Sequence, residues 1–148
     1  MLIDMARVLV VDDMAPVREM CAWILRRRGH EVIEADDGAA ATQLYVSEQP
    51  DAVLLDVMMP GVDGLTALAK IRMHDPDARV AMLTGARDEA TMRRAVALGA
   101  RDYLAKPIQA SRLIQAVERM IGMLVVLADD LVVLADDPML AMLVVEAC

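Results

Sequence analysis

Three aspartates, a threonine and a lysine in this chain of 148 residues all stand at the ends of short apolar runs. Asp12 and Asp13 follow Arg7–Val11 (RVLVV), and Asp56 closes Ala52–Leu55 (AVLL). Thr84 follows Arg79–Leu83, and Lys106 follows Arg101–Ala105. Taken singly, each is ordinary. A strand-terminal Asp often caps a helix, and a lone Lys is usually a solvated charge. Taken together they suit phosphoryl transfer. Clustered carboxylates repel one another, and a divalent cation relieves the repulsion. Mg2+ prefers oxygen ligands and keeps several waters, so two acids and a backbone carbonyl would suffice. The candidate metal set is Asp12, Asp13, Asp56 and Met58, the last through its backbone. An Asp carboxylate can attack phosphorus and form an acyl phosphate. Asp56 is the candidate nucleophile, and Thr84 and Lys106 would serve the phosphoryl oxygens.

The elements that must position these residues are legible in the pattern. Runs of buried type at Arg7–Val11, Glu31–Glu34, Ala52–Leu55, Arg79–Leu83 and Arg101–Ala105 predict five strands. Between them, helical spacing is carried by Val17, Met20, Cys21, Ile24 and Leu25, and Gly29 supplies a stop. Further helices are predicted from Asp37-Gly38 to Glu48, over Leu65–Met73, over Asp88–Leu98 and from Gln109–Ser111 to at least Ile121. Gly99 is placed to cap the fourth of these. Five strands alternating with five helices predict an α/β fold with a parallel sheet. Sites in such sheets form at the carboxyl ends of the strands, where all five polar residues fall.

From Arg7 to Ile121 the chain resembles a response-regulator receiver domain of two-component signalling, of the CheY-like kind. The resemblance rests on VLVVDD (Val8–Asp13), LLDVMMPGVDG (Leu54–Gly64), LTG (Leu83–Gly85) and YLAKP (Tyr103–Pro107), in order and at normal spacing. It implies a doubly wound, flavodoxin-like sheet of order 2-1-3-4-5 and Mg2+ as cofactor. It implies a sensor histidine kinase or phosphotransfer protein as phosphodonor and a downstream protein target. It also implies a signalling phosphoacceptor rather than an enzyme acting on a separate substrate. Tyr103 matches the family's switch aromatic: Thr84 would move toward the phosphoryl group and Tyr103 into the vacated space. The Lys106-Pro107 bond resembles the family's cis peptide. Met58 and Ala86 occupy the two positions that tune acyl phosphate lifetime, and neither can activate water. Gly85 is small enough to leave Asp56 accessible.

Two other classes compete. A haloacid-dehalogenase-type phosphatase would need a second Asp two residues after the nucleophile, and Met58 stands there. A receiver-like module that never accepts phosphate is at odds with the intact set of five. No Gly-rich Lys-Ser/Thr loop points to a nucleotide enzyme.

Composition sets further bounds. The net charge of −8 argues against non-specific nucleic-acid binding. No apolar run approaches the roughly 18 residues of a membrane span, and no signal peptide opens the chain, so the expectation is cytoplasmic. Cys21 and Cys148 have no metal-site or disulfide spacing, and Cys21 reads as a buried, inert thiol.

The receiver reading covers residues 1–122. Residues 123–148 differ in kind: they carry five acids and no Lys or Arg, which leaves the first 122 residues at −3. Leu124–Asp130 reads LVVLADD, and Leu131–Asp137 repeats it. One reading extends the last helix along a heptad seam of Leu113, Val117, Met120, Leu124, Leu127, Leu131 and Leu134, giving a homodimer through the last helix and tail. A second makes each repeat a strand, the latter opening a truncated second receiver. A third takes the stretch as a sequence irregularity or a poorly ordered end.

Overall fold

The structure is a computed structural model that describes residues 6–85 and 88–122, with the backbone of Leu124–Val126 and Val132–Leu134. Five strands form one parallel sheet: β1 Arg7–Val11, β2 Glu31–Ala35, β3 Ala52–Asp56, β4 Val80–Thr84 and β5 Asp102–Ala105. Their order is β2-β1-β3-β4-β5. The helices are α1 Ala15–Arg27, α2 Gly38–Glu48, α3 Gly64–His74, α4 Glu89–Ala97 and α5 Ala110–Met120. Every predicted element is present, its ends within about two residues of expectation.

The sheet is buried on both faces because its side chains alternate. Leu9, Val11, Val53, Leu55, Val80 and Met82 face a core closed by α2, α3 and α4. Val8, Val10, Ala52, Leu54, Ala81 and Leu83 face the other core, closed by α1 and α5. This is why the three central strands β1, β3 and β4 read as apolar runs, while the edge strands β2 and β5 carry Glu31, Glu34 and Asp102.

Helix ends follow local chemistry. Asp37, Asp63 and Asp88 cap α2, α3 and α4, accepting from the backbone N–H of Ala40, Thr66 and Ala90 at 2.7, 2.8 and 3.0 Å. Gly29 and Gly99 end α1 and α4 at φ +99° and +97°, a conformation that favours glycine. Gly64 matters for another reason. A Cβ there would drive into the Asp56 carbonyl oxygen and lie 2.8 Å from Val57 Cα. The start of α3 therefore sits directly on the end of β3. Gly64→Ala is expected to cost about 1–3 kcal/mol of stability, the usual range for overpacking, read by urea denaturation. A wild-type midpoint would mean that the two backbones are not in close contact.

The tail departs from the helical reading. Helix α5 ends at Met120, and Gly122 follows at φ +77°. Leu124–Val126 (β6) and Val132–Leu134 (β7) pair as antiparallel strands. The heptad seam also fails at its start, because Leu113, Val117 and Met120 are already buried against the sheet. The helix that would carry a continuous seam therefore stops at Met120. The three described residues of each repeat are extended and form a separate two-stranded sheet rather than joining the parallel one. The remainder of 123–148 lies outside the described residues.

Candidate functional site

The carboxyl edge of the sheet gathers the five polar residues. Asp12 follows β1 and is fully buried, while Asp13 beside it is exposed. Asp56 ends β3 and Thr84 ends β4, both buried. The carboxylates of Asp12, Asp13 and Asp56 offer oxygens that all lie within 4.8 Å of one another. Lys106 Nζ reaches into this cluster, 2.8 Å from Asp12 Oδ2 and 3.3 Å from Asp56 Oδ1. The cluster is therefore three acids partly neutralised by one ammonium.

Local geometry explains the convergence. The backbone N–H of Met14 donates to Asp12 Oδ1 at 2.9 Å, turning the carboxylate back over its own loop. Arg18 donates to the Asp12 carbonyl at 2.8 Å and ties that loop to α1. The N–H of Val57 bonds Leu83 O at 2.9 Å, so β3 stays paired one residue beyond Asp56. The N–H of Lys106 bonds Thr84 O at 2.7 Å, holding the lysine beside the end of β4. The Lys106–Pro107 peptide is cis, as the resemblance implied.

Burial pushes the Asp56 carboxyl up to about 6, and the Asp12 charge pushes the same way. Lys106 and the Met58 N–H, 3.4 Å from Asp56 Oδ1, oppose that rise. Burial would lower Lys106, but its bonds to Asp12 and Asp56 outweigh this and hold it above the usual lysine range. Cys21 lies close enough to feel Asp12 and Lys106. Burial, with Asp12 second, pushes its thiol up to about 11, so it is the inert thiol expected.

The donor set fits a hard divalent cation. It is all oxygen, it carries more negative charge than Lys106 cancels, and exposed Asp13 leaves one side open to water. Met58 adjoins the cluster with its side chain 72 % exposed, so a thioether rather than a carboxamide or carboxylate faces solvent there.

The site and the fold together match known proteins. Residues 8–118 match the model of the response regulator receiver domain family. The chain belongs to that family. CheY of Bacillus subtilis is 40 % identical over 114 residues, covering 76 % of this chain and 95 % of that protein. CheY of Thermotoga maritima is 36 % identical over 114 residues, with 76 % and 95 % covered. Among solved structures, a putative response regulator from Chloroflexus aurantiacus is similar at TM-score 0.76 and 35 % identity, over 80 % of this chain and 98 % of that one. Vibrio cholerae CheY4 is similar at TM-score 0.75 and 30 % identity, over 79 % and 99 %.

In this receiver Tyr103 pairs with Met82 across β5 and β4, two residues before Thr84. Side chains alternate along a strand, so Thr84 and Tyr103 share the sheet face covered by α2, α3 and α4. The Tyr103 ring is half-buried, and its hydroxyl is buried without a hydrogen-bond partner among the described residues. Ala86, the second tuning position, lies outside the described residues. Arg18, the buried pair His30 and Glu118, and the tie of Arg28 to Glu118 escaped the sequence reading, as did the close approach at Gly64. Gly64, closing the turn after Asp56, and Arg28, at the end of the α1 stripe, carried local signals. Among the described residues no helix is long and apolar enough to cross a membrane.

Proposed function

We propose that this receiver accepts a phosphoryl group on Asp56 from a phosphohistidine of a sensor histidine kinase or phosphotransfer protein, in the cytoplasm. A carboxylate oxygen of Asp56 forms the bond to phosphorus as the phosphorus–nitrogen bond breaks, and the departing imidazole takes a proton from water. The observation that carries this reading is Lys106 Nζ bridging Asp12 and Asp56 within a cluster of three carboxylates. Asp12, Asp13, Asp56 and the Met58 carbonyl would hold Mg2+, which when bound neutralises charge on the incoming phosphoryl oxygens. Lys106 pairs with one phosphoryl oxygen and Thr84 donates its hydroxyl to another. The chain takes part in its own modification and turns over no separate substrate.

Output passes through a protein target. Tyr103 stands on the same face as Thr84, so a shift of Thr84 toward the phosphoryl group alters the space beside the phenol. Full switching demands several kcal/mol of difference between the two states.

Intact mass after incubation with acetyl phosphate tests the reading. One added phosphoryl group that requires Mg2+ and is absent from Asp56→Asn is the expected result. No adduct with any donor or metal would leave a receiver-shaped binding module, and an adduct surviving in Asp56→Asn would move the acceptor elsewhere. The adduct is also expected to persist once the donor is removed, because Met58 cannot position water. Met58→Glu should shorten its lifetime, followed by mass against time.

A further inference from the structure

Asp13 is aimed by its backbone. Its carboxylate supplies oxygen to the acidic cluster, yet it is exposed and has no hydrogen-bond or ion-pair partner among the described residues. The peptide that joins Asp12 to Asp13 is a rigid plane holding both the Asp12 carbonyl and the Asp13 Cα. Whatever fixes that carbonyl therefore places Asp13. Arg18, in the first turn of α1, donates to it from Nη1 at 2.8 Å. On the other side of the same residue, the Asp12 N–H donates to the Ala35 carbonyl at 3.2 Å. Asp12 is thus pinned between α1 and β2, and the Arg18 bond sets the half that leads to Asp13.

A guanidinium so near a cation site would also repel the cation. Glu34 meets that difficulty. It lies on β2 two residues after Val32, on the same sheet face, where Val32 packs into the core beneath α1 and α5. An acid at this partly buried position is explained by α1. Glu34 Oε1 lies 3.3 Å from Arg18 Nε, and Oε2 lies 3.4 Å from Arg26 Nη2. The Arg18 charge is matched on the side away from the cluster, while Nη1 stays on the carbonyl. Arg18 delivers a directed hydrogen bond with little net charge.

We propose that Arg18 is a positioning residue of the cation site: it sets the Asp12–Asp13 peptide and through it the Asp13 carboxylate, and Glu34 cancels its charge. This rests on the reading that Asp12, Asp13 and Asp56 hold Mg2+. It makes a distinctive prediction of sign. Removing a positive charge near a cation site tightens cation binding if the charge is all that matters. Removing a positioning bond weakens it.

Calorimetric titration of the full chain with Mg2+ decides between them, with far-UV circular dichroism to establish that each variant is folded. Arg18→Met, which keeps the apolar stem, is expected to bind Mg2+ roughly 10-fold more weakly than wild type, as for other outer-shell partners of metal ligands. Arg18→Lys, which keeps the charge and gives up the planar fork, is expected to fall between the two, and it carries the test if Arg18→Met does not fold. In an Asp13→Asn background the further loss from Arg18→Met should nearly vanish, since both changes act on one carboxylate. Glu34→Gln is expected to weaken binding as well, by a margin that shrinks in high salt because it acts through charge. Wild-type or tighter Mg2+ binding by folded Arg18→Met or Arg18→Lys overturns the proposal, as does a loss that is as large with Asn at position 13 as with Asp. A wild-type chain that binds no Mg2+ overturns the cation reading itself, and the proposal with it.

Discussion

Lys106→Met is expected to slow phosphoryl transfer from acetyl phosphate by roughly 10²–10³-fold, the usual cost of losing one positioned charge in such a site. The same substitution is expected to tighten divalent-cation binding. Lys106 Nζ lies 2.8 Å from Asp12 and 3.3 Å from Asp56, so in the cation-free chain it occupies oxygens that a cation would use. Removing the ammonium leaves the acidic cluster one charge more negative. It also removes the larger of the two influences that hold Asp56 down against burial and Asp12. The carboxyl then rises beyond about 6, and the acid limb of the pH–rate profile moves to higher pH. In the proposed reaction Asp56 attacks as the carboxylate, so the rate is expected to fall as pH drops through that value. Rates by intact mass and Mg2+ affinity by calorimetry separate the two roles. An unchanged rate, or a rate and an affinity that fall together, would show that Lys106 does not serve the phosphoryl group.

The five residues of this site were readable because strand ends are readable. Asp12, Asp56 and Thr84 close strands buried on both faces, Lys106 follows the edge strand β5, and a parallel sheet brings all its carboxyl ends to one edge. The sequence reading also placed Gly29 and Gly99 as helix stops, since a left-handed residue after a helix has few alternatives. What escaped it depends on depth and on tertiary contact. That the Tyr103 hydroxyl is buried follows from how the ring packs, not from its place in YLAKP. The seam through Leu113, Val117 and Met120 was a real apolar stripe, yet it serves the chain's own sheet. Periodicity reports which face of a helix is apolar and says nothing of what covers it. The repeat LVVLADD was ambiguous for a related reason: short apolar runs suit a helix or a strand, and β-branched valines with Gly122 ahead of them favoured the strand.

The contact least visible in the sequence is the one whose loss should cost most stability. Glu118 on α5 is fully buried. It accepts from His30 Nε2 at 2.8 Å, 88 residues away, and from Arg28 Nε and Nη2 at 2.9 and 3.0 Å. His30 Nδ1 accepts from the Ala6 N–H at 3.2 Å, so the ring carries its proton on Nε2 and donates it to Glu118. Three elements (α1, the start of β2 and α5) are thereby joined through one carboxylate. Glu118→Ala would leave the His30 N–H buried without its acceptor and Arg28 without its fork. The expected cost is about 3–5 kcal/mol, as for breaking a buried ion pair by removing one partner. Burial alone would raise the Glu118 carboxyl, but the bonds from His30 and Arg28 outweigh it and hold the group below the usual glutamate range. A carboxyl held low when folded stabilises the fold above its unfolded value of 4.5, and the contribution drains away as pH falls through the folded value. The gap in stability between wild type and Glu118→Gln should therefore be full at neutral pH and shrink as pH drops below about 4.5. Urea unfolding of both proteins across that window measures it. A gap that is constant with pH, or that widens in acid, would mean that Glu118 is not held as a carboxylate in the folded chain.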